Sequence, residues 1–490
     1  MSLLSIIGTS TQSLFNTEKQ IAIASENIGN AQNPNYVQQN ASIVDSGSPA
    51  GIVDVSRQVD TALQQELFSQ NATGTGQGYL NQIYQQLEQL TGSASGTPSL
   101  SGAMQSFVSA FQSFEAQPES QSAQSAVTQA AQGLVSTVQS TASGIEAIAG
   151  QVQGQAQSDV GSLNTDLTQI AQLNAQIVSA KSAGKSTANL EDSRDALVSQ
   201  VSALIPVKVT PNADGSIRLA TPDGVTLIDG STAAQFTYTP FKLGSNGTAG
   251  TDASITLVDQ PNVSLDASFA GGKIGNELSI LRVDDAGAAS TDPAVAPLEK
   301  ARRQLDAFVD QFYSSNPASP TAFQAAYNNA PSGNATDLAA NLFIVQNQGP
   351  GGQPQGAGSD RFGFELNPLL TSGAATLKQS SGNPVVQALT QNSSTTPISA
   401  GDLTNFSGSL TALANAIAAD QTQRAGTAQA NAQTSGAAQS ATQTAYANST
   451  GVSMDQQLAD LIVLQNSYNA SGKVISVVSS LAQALLNLVG

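Results

Sequence analysis

Residues 452–490 read VSMDQQLADLIVLQNSYNASGKVISVVSSLAQALLNLVG. Counted in alternating steps of three and four, they put Leu461, Leu464, Tyr468, Ser471, Ile475, Val478, Ala482, Leu485 and Val489 on one line, a coiled-coil spacing with one polar interruption. Chain ends fray unless something anchors them, so an apolar seam carried this far implies a partner helix. The same count at the other end gives Leu3, Ile7, Ser10, Leu14, Thr17, Ile21, Ala24 and Ile28, a weaker seam of the same kind. A helix of about 25 residues reaches roughly 38 Å at about 1.5 Å per residue, so the two ends have comparable length. They are expected to run side by side as one stem. Its interface for assembly is expected at Leu3, Ile7, Leu14, Ile21 and Ile28 with Leu461, Leu464, Tyr468, Ile475, Val478 and Leu485.

Inward from the first seam, Gly29 and the run Asn30 to Tyr36 form a proline-containing turn. Residues 41–56 are β-branched in patches and broken by Gly47, Pro49 and Gly51, which reads as an extended connector. Residues 57–205 read as a helical domain. A Gly-rich break at 74–78 separates a helix from one carrying Leu80, Ile83, Leu87 and Leu90, and Leu100, Met104, Phe107, Val108, Phe111 and Phe114 form an apolar face. Residues 121–181 form a very long helix or two in line, and a further short helix holds Leu190, Leu197, Val201 and Leu204. From Pro206 the period changes to two, with turns at Asn212–Gly215 and Pro222–Gly224, and residues 206–270 read as an antiparallel β domain. Residues 271–402 return through helical and irregular segments, 316–359 being mostly irregular; 403–450 are a last helix, and 451–490 the C-terminal stem helix. The fold class is mainly α with an inserted β domain. The nesting of stem, helices, strands, helices and stem places that domain farthest from the paired termini.

Two terminal motifs carry a resemblance. Residues 26–36, ENIGNAQNPNY, with Asn27, Asn30, Pro34 and Tyr36, resemble the N-terminal signature of the bacterial flagellar rod, hook and hook-associated axial proteins. Asn35 stands where that family usually has Gly, a mild change because Asn tolerates positive φ. Residues 452–475 resemble the family's C-terminal signature. Between them Asn189, Asp192, Arg194 and Asp195, in NLEDSRDALV at 189–198 and preceded by IAQLN at 170–174, resemble the internal signature of the hook-associated branch. The resemblance implies a structural adaptor at the junction of hook and filament, polymerising as a ring of copies on the hook tip. Hook protein would lie below and hook-associated protein 3 above, and a cytoplasmic export chaperone would cover the C-terminal seam. It also implies an extracellular place in the flagellum, reached through the flagellum's own export channel without a cleaved signal.

The chain of 490 residues carries 17 basic against 35 acidic side chains, a net charge of −18, which argues against a nucleic-acid partner or an anionic membrane. No apolar run is long enough to span a bilayer, and the first residues lack the basic start of a secretory signal. With no histidine and no cysteine there is no Ser-His-Asp triad, no thiol nucleophile and no zinc site of the usual ligands. No cofactor, metal or catalytic residue is expected. The rival readings are another axial protein, a surface adhesin, or a wall-degrading glycosidase with Asp284–Asp285 or Glu191–Asp192 as its carboxylates. Adjacent acids on a helix point apart, which weighs against the last.

Overall fold

The computed structural model describes residues 3–33, 35–44, 51–92, 99–242, 251–282, 296–313, 320–339, 341–345, 360–391, 398–400, 403–406 and 408–489. In chain order these form α1 (Leu3–Asn30), β1 (Gln39–Val44), β2 (Ile52–Arg57), α2 (Thr61–Thr91), α3 (Leu100–Ala116), α4 (Gln121–Ser182) and α5 (Ala188–Leu204). Short strands follow: β3 (Lys208–Pro211), β4 (Ile217–Ala220), β5 (Thr226–Asp229), β6 (Thr232–Ala233), β7 (Phe236–Thr239), β8 (Ser254–Leu257) and β9 (Gln260–Ser264). The return path holds α6 (Lys273–Ile280), α7 (Pro297–Val309), α8 (Ala322–Asn328), β10 (Phe343–Val345), α9 (Asp360–Gly363), β11 (Phe364–Leu366), α10 (Pro368–Thr371), α11 (Gly382–Thr390), β12 (Ile398–Ala400) and β13 (Leu403–Phe406). The chain closes with α12 (Leu410–Thr450) and α13 (Met454–Val489). The fold is mainly helical with small antiparallel sheets, as the periodicity implies.

Two compact units divide the chain. The first holds Met1–Gly74, Ser162–Gln235 and Ser435–Gly490, and the second Thr75–Gly161 and Phe236–Thr434.

In the first unit α1 and α13 pack side by side. Two contacts fix their direction: Ser13 Oγ lies 3.4 Å from Ser471 Oγ, and Asn27 Nδ2 donates to Gln457 Oε1 at 3.0 Å. Residue numbers rise on one helix as they fall on the other, so the pair is antiparallel. A second face of α1 carries the β1–β2 hairpin, with Gln20 Nε2 donating to Ala41 O and Asn16 Nδ2 to Gly51 O, both at 3.3 Å. The stretch read as an extended connector is thus a paired hairpin, because the helix beneath it supplies the polar partners that a lone two-stranded ribbon lacks. The sheet β3-β4-β5-β6 is held to α4 by Asn174, whose Nδ2 donates to Ile217 O at 3.0 Å and Gly230 O at 2.7 Å.

In the second unit the apolar face of α3 is core, as its spacing predicts: Leu100, Met104, Phe107, Val108, Phe111 and Phe114 are all buried. Ser99 caps the helix, accepting from Gly102 N at 3.0 Å. Phe107 meets Phe111, Phe312, Phe323 and Phe343, with ring centroids 5.1 to 6.4 Å apart, and Phe343 stacks on Phe364 at 4.9 Å. The sheet β7-β8-β9 also belongs to this unit, with Phe236 edge-on to Phe269 at 5.4 Å.

Several expectations are corrected. Residues 206–270 do not form one β domain: β3–β6 lie in the same unit as the termini and β7–β9 in the other. A period of two marks a strand but says nothing of which sheet receives it. The Gly-rich stretch 74–78 does not break a helix; α2 runs through it. Its glycines serve close packing instead, since a Cβ on Gly74 would meet the Gln439 side chain at 2.5 Å, and one on Gly76 would meet Asn276 Nδ2 at 2.8 Å. Of the two alternatives for residues 121–181, one very long helix or two in line, the first is what forms: α4, Gln121–Ser182, is a single helix of 62 residues. Residues 403–406 are strand, and the last helix starts at Leu410. Within 316–359 the helix α8 was missed although Thr321 and Gln324 form a capping box at its start.

Candidate functional site

Asn27 is the centre of a buried polar hub in the first unit. It is fully buried, so each of its polar atoms needs a partner, and each has one. Its Oδ1 accepts from Tyr36 Oη at 2.8 Å and from Gln39 N at 3.0 Å; its Nδ2 donates to Gln39 O at 2.9 Å and to Gln457 Oε1 at 3.0 Å. A single amide therefore bonds α1 to the turn after it, to the start of β1 and to α13. Burial, with the nearby charge of Glu26 adding to it, raises the Tyr36 phenol well above its ordinary range, so it stays a donor. Asn30 Nδ2 donates to Glu26 O at 3.0 Å and steadies the end of α1. Pro34 lies outside the described residues.

The internal motif meets this hub in space. Gln39 Nε2 donates to Asn189 Oδ1 at 3.0 Å, and Asn189 Nδ2 donates to Glu26 Oε1 at 2.9 Å. One turn along α5, three carboxylates converge on the buried guanidinium of Arg57, at the end of β2. Glu191 Oε2 is 3.3 Å from Nη1, Asp192 Oδ1 2.8 Å from Nε, and Asp195 Oδ2 2.8 Å from Nη2. Burial pushes the Asp192 carboxyl up to about 6 despite the opposing pull of Arg57. Arg194 turns the other way, donating to Gly215 O at 2.9 Å and tying α5 to the β3–β4 turn. Asp195 also accepts from Gln64 at 3.0 Å, on α2. Asn27, Tyr36, Asn189, Asp192, Arg194 and Asp195 are thus brought into one connected framework at the inner end of the paired termini.

Arg57, Gln39, Asn174 and Gln457 belong to that framework and were not singled out from the sequence as site residues. Asn174 and Gln457 stand inside the quoted motifs. Arg57 carried no signal beyond being one of 17 basic residues in the chain.

The seam itself is mostly occupied within the chain. Ile7, Leu14, Ile21, Ile28, Leu461, Leu464 and Ile475 are half-buried and Val478 is buried, with α1 and α13 turned on each other; Tyr468 is the exception at 42% exposed. The side chains of Leu3 and Leu485 are outside the described set. Other apolar side chains of α13 remain outward, Met454, Leu458 and Ile462 near its start and a second group on another face. Val463, Val474, Val477 and Leu481 are 63, 44, 54 and 53% exposed. Their spacing of eleven, three and four residues keeps them on one helix face. Phe15 on α1 is 58% exposed as well.

Comparison with known proteins bears on both regions. Residues 84–316 match the family described as flagellar hook-associated protein FlgK helical domain, and residues 443–488 match the flagellar basal body rod FlgEFG protein C-terminal family. Over its helical region and its C-terminal end the chain thus resembles the flagellar hook-associated protein 1 family. It is similar to flagellar hook-associated protein 1 of Salmonella typhimurium strain LT2, 24% identical over 283 residues, covering 55% of this chain and 51% of that protein. Flagellar hook-associated protein 1 of Escherichia coli K12 is 32% identical over 119 residues, covering 24% of this chain and 22% of that one. The chain thus spans about half, 51%, of the length of the Salmonella relative. Among solved structures, the flagellar hook junction protein FlgK from Burkholderia pseudomallei aligns with a TM-score of 0.44 at 24% identity, covering 57% of this chain and 46% of that one. The family is one of structural flagellar proteins. Among the described residues no helix is long and apolar enough to cross a membrane, and no group of three or more acidic side chains is arranged to hold a metal ion.

Proposed function

We propose that this chain is a structural adaptor at the junction of hook and filament, assembling as a ring of copies on the hook tip. The observation that carries the reading is the outward apolar face of α13. Its stem is already closed by the α1–α13 pairing, yet Val463, Val474, Val477 and Leu481 remain in water. Apolar side chains grouped on one face of a solvated helix mark a contact surface, and here the contact is a neighbouring subunit. The hub at Asn27 and Arg57 sets the angle at which the stem leaves its unit, so each copy presents that face alike. Hook protein below and hook-associated protein 3 above are the neighbours that a junction position requires. The protein reaches that position outside the cell through the flagellar export channel, with a cytoplasmic chaperone shielding α13 beforehand in a helix-in-groove mode.

The glycosidase alternative loses its described carboxylate pair, because Glu191 and Asp192 are both engaged by Arg57. Asp284 and Asp285 lie outside the described residues. The test is a Val463→Asp, Val477→Asp double variant produced in a strain lacking the native protein. Its stem keeps the helix content of the parent, since both positions are more than half exposed, but the cells fail to retain filaments. Full motility with filaments of normal length would refute the outward face as the assembly surface.

A further inference from the structure

A buried acidic pair in the second unit has no part in that reading. Glu277, on α6, is fully buried, and Asp159, on α4, is 6% exposed. One cation serves both: Lys273 Nζ is 2.6 Å from Asp159 Oδ2 and 3.8 Å from Glu277 Oε1. That ammonium also sits over the ring of Tyr79, on α2, 5.4 Å from its centroid. Tyr238, on β7, lies within electrostatic reach of Glu277. The packing is close, since a Cβ on Gly76 of α2 would lie 3.1 Å from Gly271 O and from Gly272 C, just before α6. Among the described residues the charged groups acting on Glu277 are Asp159 and Lys273. Neither Asp266 in the turn before α6 nor Glu299, Lys300, Arg302, Arg303 and Asp306 of α7 are among them, although both elements pack on α6.

Two carboxylates against one ammonium leave a negative charge with no counter-ion in a site shielded from water, an arrangement that burial strongly disfavours. A proton between the two removes it. The Glu277 carboxyl then donates to Asp159, whose charge is balanced by Lys273. We propose that Glu277 and Asp159 share one proton in the folded protein, and that its transfer to bulk hydroxide at alkaline pH is a built-in switch that loosens α6 from α2 and α4. Burial, reinforced by the charge of Asp159, pushes the Glu277 carboxyl up to about 9. The folded state therefore binds one more proton than the unfolded chain between the ordinary carboxylate range and about 9. Stability of this unit falls as pH rises through that window.

Amide hydrogen exchange on the full chain tests this at about pH 7 and about pH 9.5, with rates corrected for the intrinsic effect of pH. In the parent protein, segments 152–161 and 273–280 lose protection by roughly tenfold or more between the two conditions, while α13 does not. Glu277→Gln keeps the shape and replaces the shared proton with an amide hydrogen, so its loss of protection in those segments is abolished. Asp159→Asn leaves a single carboxylate with Lys273 and flattens the response in the same way, which keeps the test decisive if the first variant fails to fold. Unchanged protection in the parent, or an equal fall in a folded variant, overturns the proposal.

Discussion

Replacing Asn27 with Ala removes four hydrogen bonds at once. Two of them satisfy the N–H and C=O of Gln39, which is 3% exposed; the others satisfy Tyr36, 8% exposed, and Gln457, 6% exposed. None of these groups gains easy access to water when the amide is gone, so each loss costs about 1 kcal/mol or more, and the four together about 4 kcal/mol. At about 1.4 kcal/mol per factor of ten, local opening of the stem becomes roughly a thousandfold more frequent. The assay is amide hydrogen exchange over residues 20–40 and 454–464 in the full chain. Gln457→Ala, which breaks only one of the four bonds, supplies the scale: about 1 kcal/mol, or roughly fivefold. If Asn27→Ala accelerates exchange in these segments no more than Gln457→Ala does, the amide is not the centre of the hub.

Ile475→Asp places a carboxylate on the face of α13 that meets α1, so the stem opens within the single chain at a cost of about 2 kcal/mol or more, seen as faster proteolysis of both termini. Gly76→Ala forces a Cβ to within 2.8 Å of Asn276 Nδ2 and lowers the stability of the second unit by about 1–3 kcal/mol, measurable as an earlier thermal transition. Asp192, raised to about 6 by burial, holds a proton in the folded state that the unfolded chain has already released, so its contribution to the first unit declines as pH rises from about 4 to about 6. Asp192→Asn should remove that slope from a pH series of exchange rates over α5.

What the sequence disclosed follows from the range of each interaction. The seams of α1 and α13 repeat every few residues along their own helices, so Ile7, Leu14, Leu461 and Ile475 announced a paired stem. The antiparallel register was not readable, because it rests on contacts such as Ser13 to Ser471, whose partners are 458 residues apart. The glycines of α2 were misread for the same reason. Local propensity marks Gly as a helix breaker, but Gln439 and Asn276 approach from distant segments and make small residues necessary there. Alternation identified the strands without revealing that β6 and β7, two residues apart, belong to different units. At the hub, Asn27, Tyr36 and Asp192 stood out through resemblance. Arg57 did not, since its meaning depends on acids 134 to 138 residues downstream.

The position proposed for this chain is between hook and filament. It is tested most directly by deleting its coding sequence in the native host, then imaging the cell surface and measuring flagellin in the medium. Hooks without filaments, with flagellin accumulating in the medium and filaments restored by the intact chain, is the predicted result. A deletion strain that carries full-length filaments and retains its flagellin would contradict it.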